Sequence, residues 1–153
     1  MTTNDLLIQV RQRLGDMQKI SLSDEELIMS LNVAIDRLSE ELAADANPEM
    51  IKTFDVVGNT KTARPNDFIS LCGQFPLVFH QDPDGIKVSN LDPNFERTLT
   101  VRYFASRPHV STLTDEIPFD KVLQTRQLVV YTVYDIKSIT GEVKADDGQR
   151  ANG

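Results

Sequence analysis

The chain has 153 residues, of which 40% are hydrophobic and 25% charged, a composition typical of a soluble globular protein. It has no apolar run long enough to span a bilayer, and its single cysteine, Cys72, excludes an internal disulfide framework. The net charge of −7 argues against a nonspecific nucleic-acid-binding protein, which needs a basic contact surface. The polar N-terminus also leads us to expect no secretory signal.

The first third of the chain predicts two helices, over residues 4–14 and 24–44. The apolar positions of the first helix are Leu6, Leu7, Val10 and Leu14, which recur at helical spacing. Gly15 is suited to end that helix in a left-handed conformation. Ser23 and Glu26 form a capping-box pattern at the start of the second helix.

The whole net charge of the protein lies on the second helix and the turn after it. Residues 20–50 contain eight acidic side chains and one basic side chain, and the rest of the chain is neutral overall. On a helical wheel, Glu25, Asp36 and Glu40 lie opposite the apolar stripe. A solvated surface is one interpretation of this face. The other is a wall of carboxylates along which a polyanion such as DNA slides without binding.

The middle of the chain, residues 50–105, predicts a small group of β-strands. Residues 51–57 and 97–104 are the clearest strands, because β-branched and aromatic residues recur in them with strand-like alternation. Proline, glycine, aspartate and asparagine separate the runs between these two and indicate turns.

The last predicted helix spans 119–140, since this stretch is too long for one strand and has no internal glycine or proline for a hairpin. Pro118 suits its first turn. So much of its surface is apolar that we expect the first two helices to cover it. The polar segment 142–153 has too few apolar residues to order itself, and we expect an extended tail that binds another protein.

These elements predict an α+β fold. We expect an antiparallel bundle of about three helices, with a β-rich insertion between the second and last helices and an extended C-terminal tail. Residues 1–141 are predicted to form a single domain, followed by the tail over 142–153.

No residue pattern indicates a catalytic, cofactor or metal site. The only histidines, His80 and His109, have no acidic residue at catalytic spacing, and Cys72 fits a small buried position better than a nucleophile. Asp82–Gly85 resembles the start of a calcium loop, but Pro93 stands where the closing glutamate is needed, so we predict a turn.

One run of basic and aromatic residues suggests a surface that binds nucleic acid. It consists of Arg102, Tyr103, Phe104 and Arg107. Such a mixture is typical of nucleic-acid contacts, but the acidic balance of the chain argues against this interpretation.

Several stretches of the sequence carry a resemblance to a known family. They are Leu22–Ile28, Leu31–Asp36, Ala63–Ile69 and Val101–Ala105, with Tyr131 and Tyr134 in the last helix. Together with the order of elements, they resemble the head-to-tail adaptor proteins (head-completion or connector proteins) of tailed bacteriophages. The Leu-Asn-x-Ala stretch, Leu31–Ala34, is similar to the second helix of those adaptors.

The resemblance implies a structural virion protein of the head–tail junction, or neck, and not an enzyme. Such a protein is made in the cytoplasm of the bacterial host and forms a homo-oligomeric ring, usually a dodecamer, beneath the portal protein. The ring extends the DNA channel, lets DNA pass without sequence-specific binding, and holds a tail or neck protein below. No cofactor, metal or membrane is implied.

The resemblance also assigns two sets of residues. The portal-binding tail would use Glu142, Val143, Lys144, Ala145 and Arg150. The channel-lining acidic face would use Glu25, Asp36 and Glu40. The large β-rich insertion departs from the simpler all-helical adaptors. Two alternatives remain open, another phage neck or tail-completion protein and a cytosolic protein-binding module unrelated to phage.

Overall fold

The computed structural model describes residues 1–16 and 21–141, and these residues form an α+β protein. The helices are α1 (Thr3–Leu14), α2 (Asp24–Ala44) and α3 (Val122–Ile139), with a short 3₁₀ helix at Pro48–Met50. The strands are β1 (Ile51–Val57), β2 (Thr62–Ala63), β3 (Phe68–Leu71), β4 (Leu77–Asp82), β5 (Gly85–Asn90) and β6 (Thr98–Ala105). The structure therefore confirms the α+β class. None of the helices in this part of the chain is long and apolar enough to cross a membrane.

Local capping explains where the first two helices begin. At α1, the Asp5 amide donates to the Thr2 hydroxyl and the Thr2 amide donates to the Asp5 carboxylate, which is a complete capping box. At α2, the Glu26 amide donates to the Ser23 hydroxyl at 3.1 Å, as the sequence predicts. Gly15 ends α1 with a φ of 70°, the left-handed conformation that favours glycine.

The start of α3 differs from the prediction. The helix begins at Val122 and not at residue 119, so Pro118 precedes the first turn. Ile117 and Phe119, two residues apart, are both buried in irregular chain, whereas a helix would place them on different faces. The Ile117 amide also donates to the Met1 carbonyl at 3.0 Å. This tertiary hydrogen bond and the two buried side chains outweigh the local preference for a longer helix.

The described residues divide into two compact units, and the prediction of a single domain over 1–141 stays a prediction. The helical unit comprises Met1–Leu38 and the chain from Arg107 on, and the β-rich unit comprises Ser39–Ser106. The division falls within α2. A separate β-rich unit is explained by its own apolar core, described below.

The helical unit buries one face of each helix. α1 packs against α3. The core residues of this unit include Leu6, Leu7, Val10, Leu27, Leu31, Ile35, Leu38, Leu128, Val129 and Ile136. On α2 and α3 these positions recur at helical spacing, as expected for amphipathic helices.

The β-rich unit contains two three-stranded antiparallel sheets. Their strand orders are β1-β6-β3 and β2-β5-β4. Val56, Val88 and Val101, one from each of β1, β5 and β6, are fully buried together. Half-buried hydrophobic side chains surround them, namely Phe54, Leu71, Phe75, Leu77 and Leu99. Both sheets therefore contribute to one core.

A buried arginine connects the end of α1 to the start of α2. Arg11 is almost completely buried, and its Nη1 lies 2.9 Å from the Asp16 carboxylate, which is itself buried. The same nitrogen donates to the Leu22 carbonyl at 2.9 Å. Its Nη2 donates to Asp24 Oδ1 at 2.8 Å, in the first turn of α2. One guanidinium thus holds three points of the connection between these helices.

We predict that Arg11→Leu destabilises the protein strongly. Removing one partner of a buried charge pair costs about 3–5 kcal/mol, because the remaining charge stays desolvated. Arg13→Leu, on the exposed side of the same helix, is the matched control and should change the free energy of unfolding by less than about 0.5 kcal/mol. Urea unfolding followed by far-ultraviolet circular dichroism measures both. Equal stability of the two variants would contradict the proposed role of Arg11.

Candidate functional site

The outer face of α2 carries the three acidic residues that the sequence places there, but it is not a continuous acidic surface. Glu25 and Glu40 are exposed. Met29 and Val33 lie at intervals of four residues after Glu25 and therefore share its face. These two apolar side chains are 70% and 52% exposed. The face is thus a mixture of carboxylates and exposed hydrophobic groups.

Asp36, the third predicted acidic residue, has a specific partner. Nε2 of His109 lies 2.9 Å from Oδ1 and 3.0 Å from Oδ2 of Asp36. Both side chains are about half exposed, so the contact contributes little free energy. No sequence pattern predicts this contact, because His109 and Asp36 are 73 positions apart in the chain. The channel-lining role of Glu25, Asp36 and Glu40 stays a prediction.

A second contact holds the loop before α3 along α2. The Asn32 amide nitrogen donates to the Val110 carbonyl, and the Val110 amide donates to the Asn32 carbonyl oxygen, both at 2.9 Å. Asn32 precedes Asp36 by one helical turn, so the two contacts lie in line on α2. The asparagine of the Leu-Asn-x-Ala stretch therefore positions a loop by a two-bond pairing.

Between α2 and α3 the helical unit has an apolar groove of about 300 Å³. We call it the α2–α3 groove; its lining includes Leu22, Met29, Val33, Ile136 and Ile139. Ile139 is 73% exposed, and the carboxylates of Glu26 and Asp135 lie at the same groove. Hydrophobic side chains that cluster on a protein surface inside a polar rim are typical of a protein-binding site.

An arginine–tyrosine stack connects the same two helices. The guanidinium of Arg37 lies 3.9 Å from the ring centre of Tyr131 and 5.8 Å from that of Tyr134. Such stacks contribute about 0.5–1 kcal/mol at exposed sites and more when they are desolvated. Arg37 is the one basic residue of the acidic stretch, and this contact gives it a structural role.

The remaining candidate residues have structural partners. His80 Nε2 lies 2.7 Å from the hydroxyl of Ser89 on the neighbouring strand. The Cys72 amide donates to the Arg102 carbonyl, which extends the pairing of β3 with β6. In the part of the chain that the structure describes, no group of three or more histidine, cysteine or acidic side chains could hold a metal ion.

The sequence Asp82–Gly85 is the tight turn that was predicted. Asp82, the last residue of β4, pairs with Gly85, the first residue of β5. Lysines neutralise its carboxylates, since Lys87 lies 3.0 Å from Asp84 and Lys61 lies 3.4 Å from Asp82. The hydrogen bond from Lys87 holds the pKa of Asp84 below its usual range.

The basic and aromatic run does not form an open surface for base stacking. Tyr103 and Phe104 are buried, although Arg102 is exposed. Tyr103 stacks on Phe68 with ring centres 5.6 Å apart, and its hydroxyl donates to Asp67 at 2.8 Å. These aromatic rings belong to the interior of the β-rich unit.

The same cluster shifts two ionisations. Burial, together with the neighbouring Asp67 carboxylate, raises the pKa of Tyr103 to about 12. Burial opposes ionisation of Asp67, but hydrogen bonds from Lys52 and Tyr103 outweigh it and hold the pKa of Asp67 below its usual range. The hydroxyl of Tyr103 therefore remains protonated as a donor across the neutral pH range.

We predict that Tyr103 titrates late. In a rapid pH jump followed by phenolate absorbance, the phenol of Tyr103 should ionise near pH 12, and Tyr103→Phe should remove that step. Because the folded protein holds this proton more tightly than the unfolded chain, the stabilisation is complete below pH about 10 and is lost as the pH rises through about 12. Tyr134→Phe is the control and should leave the late step in place.

The predicted portal-binding residues lie outside the described residues. They are Glu142, Val143, Lys144, Ala145 and Arg150. Their role therefore stays a prediction. The described chain ends at Gly141, directly after Ile139 and Thr140, which line the α2–α3 groove.

No protein-family model matches the chain, and no curated protein matches it in sequence.

Proposed function

We propose that this chain is a head-to-tail adaptor of a tailed bacteriophage, a structural subunit of a ring between the portal protein and the tail. The observation that carries the proposal is the α2–α3 groove, an apolar hollow on the surface of the helical unit. A surface of this kind serves association with protein, and a ring subunit must bind neighbours in several directions.

The proposal assigns roles to the parts of the chain. The three helices act as the adaptor bundle, with the β-rich unit inserted between α2 and α3. Residues 142–153 reach the portal, and a tail or neck protein binds on the opposite side of the ring. DNA passes through the ring without sequence-specific contact. The partners of such a ring are the portal protein, the tail or neck protein and the DNA that passes through it.

We predict that the full chain binds the portal protein encoded by the same genome and that the C-terminal tail is required. Co-sedimentation of the two purified proteins measures binding. Deleting 142–153 should abolish it and leave the far-ultraviolet circular dichroism of the helices unchanged. A variant with residues 142–153 in scrambled order is the control for length and charge, and it should also fail to bind.

The other functions give different results in the same experiment. Undiminished binding by the truncated chain would contradict the role of the tail. A protein that is found in purified virions but does not bind the portal would be another neck or tail-completion component. Absence from virions, or a source genome without a portal gene, would overturn the adaptor proposal and favour a cytosolic binding module.

A further inference from the structure

We propose that copies of this chain associate head to tail, with the first turn of α3 of one copy seated in the α2–α3 groove of the next. The inference deepens the proposed ring, because it names the contact between subunits. It is argued from two exposed surfaces of one chain and from their charges.

The first surface is the start of α3, which the other helices leave uncovered. Val122 and Leu123 are 65% and 77% exposed. Arg126, also exposed, follows them by four and three positions and lies beside both on the helix. We call these three residues the α3 knob. The apolar sequence of α3 predicts that the other helices cover it, but Val122 and Leu123 at its start are exposed.

The α2–α3 groove has room for this knob. A cavity of about 150 Å³ accommodates a benzene ring, and the groove measures about 300 Å³. The groove therefore has enough volume for the side chains of Val122 and Leu123. Burying valine and leucine side chains stabilises an association, and the exposed groove residues Met29 and Ile139 would be covered as well.

The charges of the two surfaces are complementary. Glu26 and Asp135 lie at the groove, and Glu25 is exposed next to it on α2. The knob carries the positive charge of Arg126. Just before the knob, the opposite charges of Asp120 and Lys121 cancel, so the net charge of this region is positive. Complementary charges around an apolar centre orient two proteins and accelerate their association.

One copy cannot bring its own knob into its own groove. Leu123 and Ile139 lie at opposite ends of the same helix, about 24 Å apart at about 1.5 Å per residue. The contact must therefore form between two copies. One copy contributes its α3 knob, and the next copy contributes its α2–α3 groove. Such a heterologous contact produces a ring when the rotation closes and a filament when it does not.

The segment 142–153 is a poorer occupant of this groove. Its only large hydrophobic residue is Val143, and glycine, asparagine, glutamine and charged residues make up most of the rest. An apolar hollow with acidic side chains at its edge is better matched by two adjacent aliphatic side chains beside an arginine. The knob is such a group, and it is already held in place by a helix.

The first experiment measures self-association of the purified full-length chain by sedimentation velocity over a range of concentrations. Leu123→Glu and Val33→Glu, one on each surface, should each weaken association about 30-fold or more, as expected for central interface residues. Leu91→Glu, at a 62% exposed leucine of the β-rich unit, is the matched control and should leave association unchanged. Circular dichroism verifies that each variant is folded.

A charge exchange tests the pairing of the two surfaces. Arg126→Glu and Asp135→Lys should each weaken association, and the double variant should recover a large part of it. Without recovery, the arginine does not meet the carboxylate of the next copy.

Disulfide trapping in a Cys72→Ser background tests the direction of the contact. A mixture of Leu123→Cys chains with Met29→Cys chains should form crosslinked dimers, and neither variant alone should do so. Dimers of Leu123→Cys alone would show a symmetric contact and overturn the head-to-tail arrangement.

The outcomes separate this contact from the proposed function. A chain that stays monomeric near a concentration of about 1 mM, and binds the portal only as single copies, overturns both the contact and the ring. Association that neither surface affects overturns the contact and leaves the ring and its portal binding intact. In the Cys72→Ser background, an intramolecular disulfide between Met29→Cys and a second cysteine, Ile20→Cys or Val143→Cys, would show that the same chain occupies the groove and would overturn the contact.

Discussion

The position of α2 depends on one buried cation. Arg11 binds the Asp16 carboxylate, the Leu22 carbonyl and the Asp24 carboxylate, so α2 starts at a fixed place beside the end of α1. Because α1 packs against α3, this contact also sets where α2 lies along α3. Leu22 is itself a groove residue. The shape of the α2–α3 groove is therefore a consequence of a desolvated charge network, which tolerates changes far less than a surface ion pair does.

The other side of the proposed contact depends on a loop. Asn32 holds Val110 by two hydrogen bonds, and the chain that follows turns at Thr112–Asp115 and stays non-helical up to the buried Phe119. The helix then begins at Val122, and its first two hydrophobic residues, Val122 and Leu123, are exposed. The tertiary contacts of the loop thus set where α3 begins, and the knob lies in its first turns.

Sequence patterns predicted the elements of this protein well and its surfaces poorly. Helical spacing and the Ser23 cap located α2, because both are local signals. The predicted start of α3 was wrong. Pro118 is a local signal for a helix start, and the burial of Ile117 and Phe119 outweighs it. The groove could not be predicted, since it depends on how two helices far apart in the chain diverge. Met29 and Val33 were visible on the helical wheel, but only the structure shows that they are exposed.

The outer face of α2 cannot both line a DNA channel and bind a neighbouring subunit along the groove. Carboxylates alone would be enough to repel DNA, and exposed methionine and valine side chains add nothing to repulsion. Those two side chains do have a purpose at an interface, where hydrophobic burial supplies the affinity and the surrounding charges supply orientation and specificity. The mixture of Glu25, Met29 and Val33 on one face is therefore better explained by contact with protein. On that proposal Glu25 serves the choice of partner, and the channel-lining role of Asp36 and Glu40 stays a prediction.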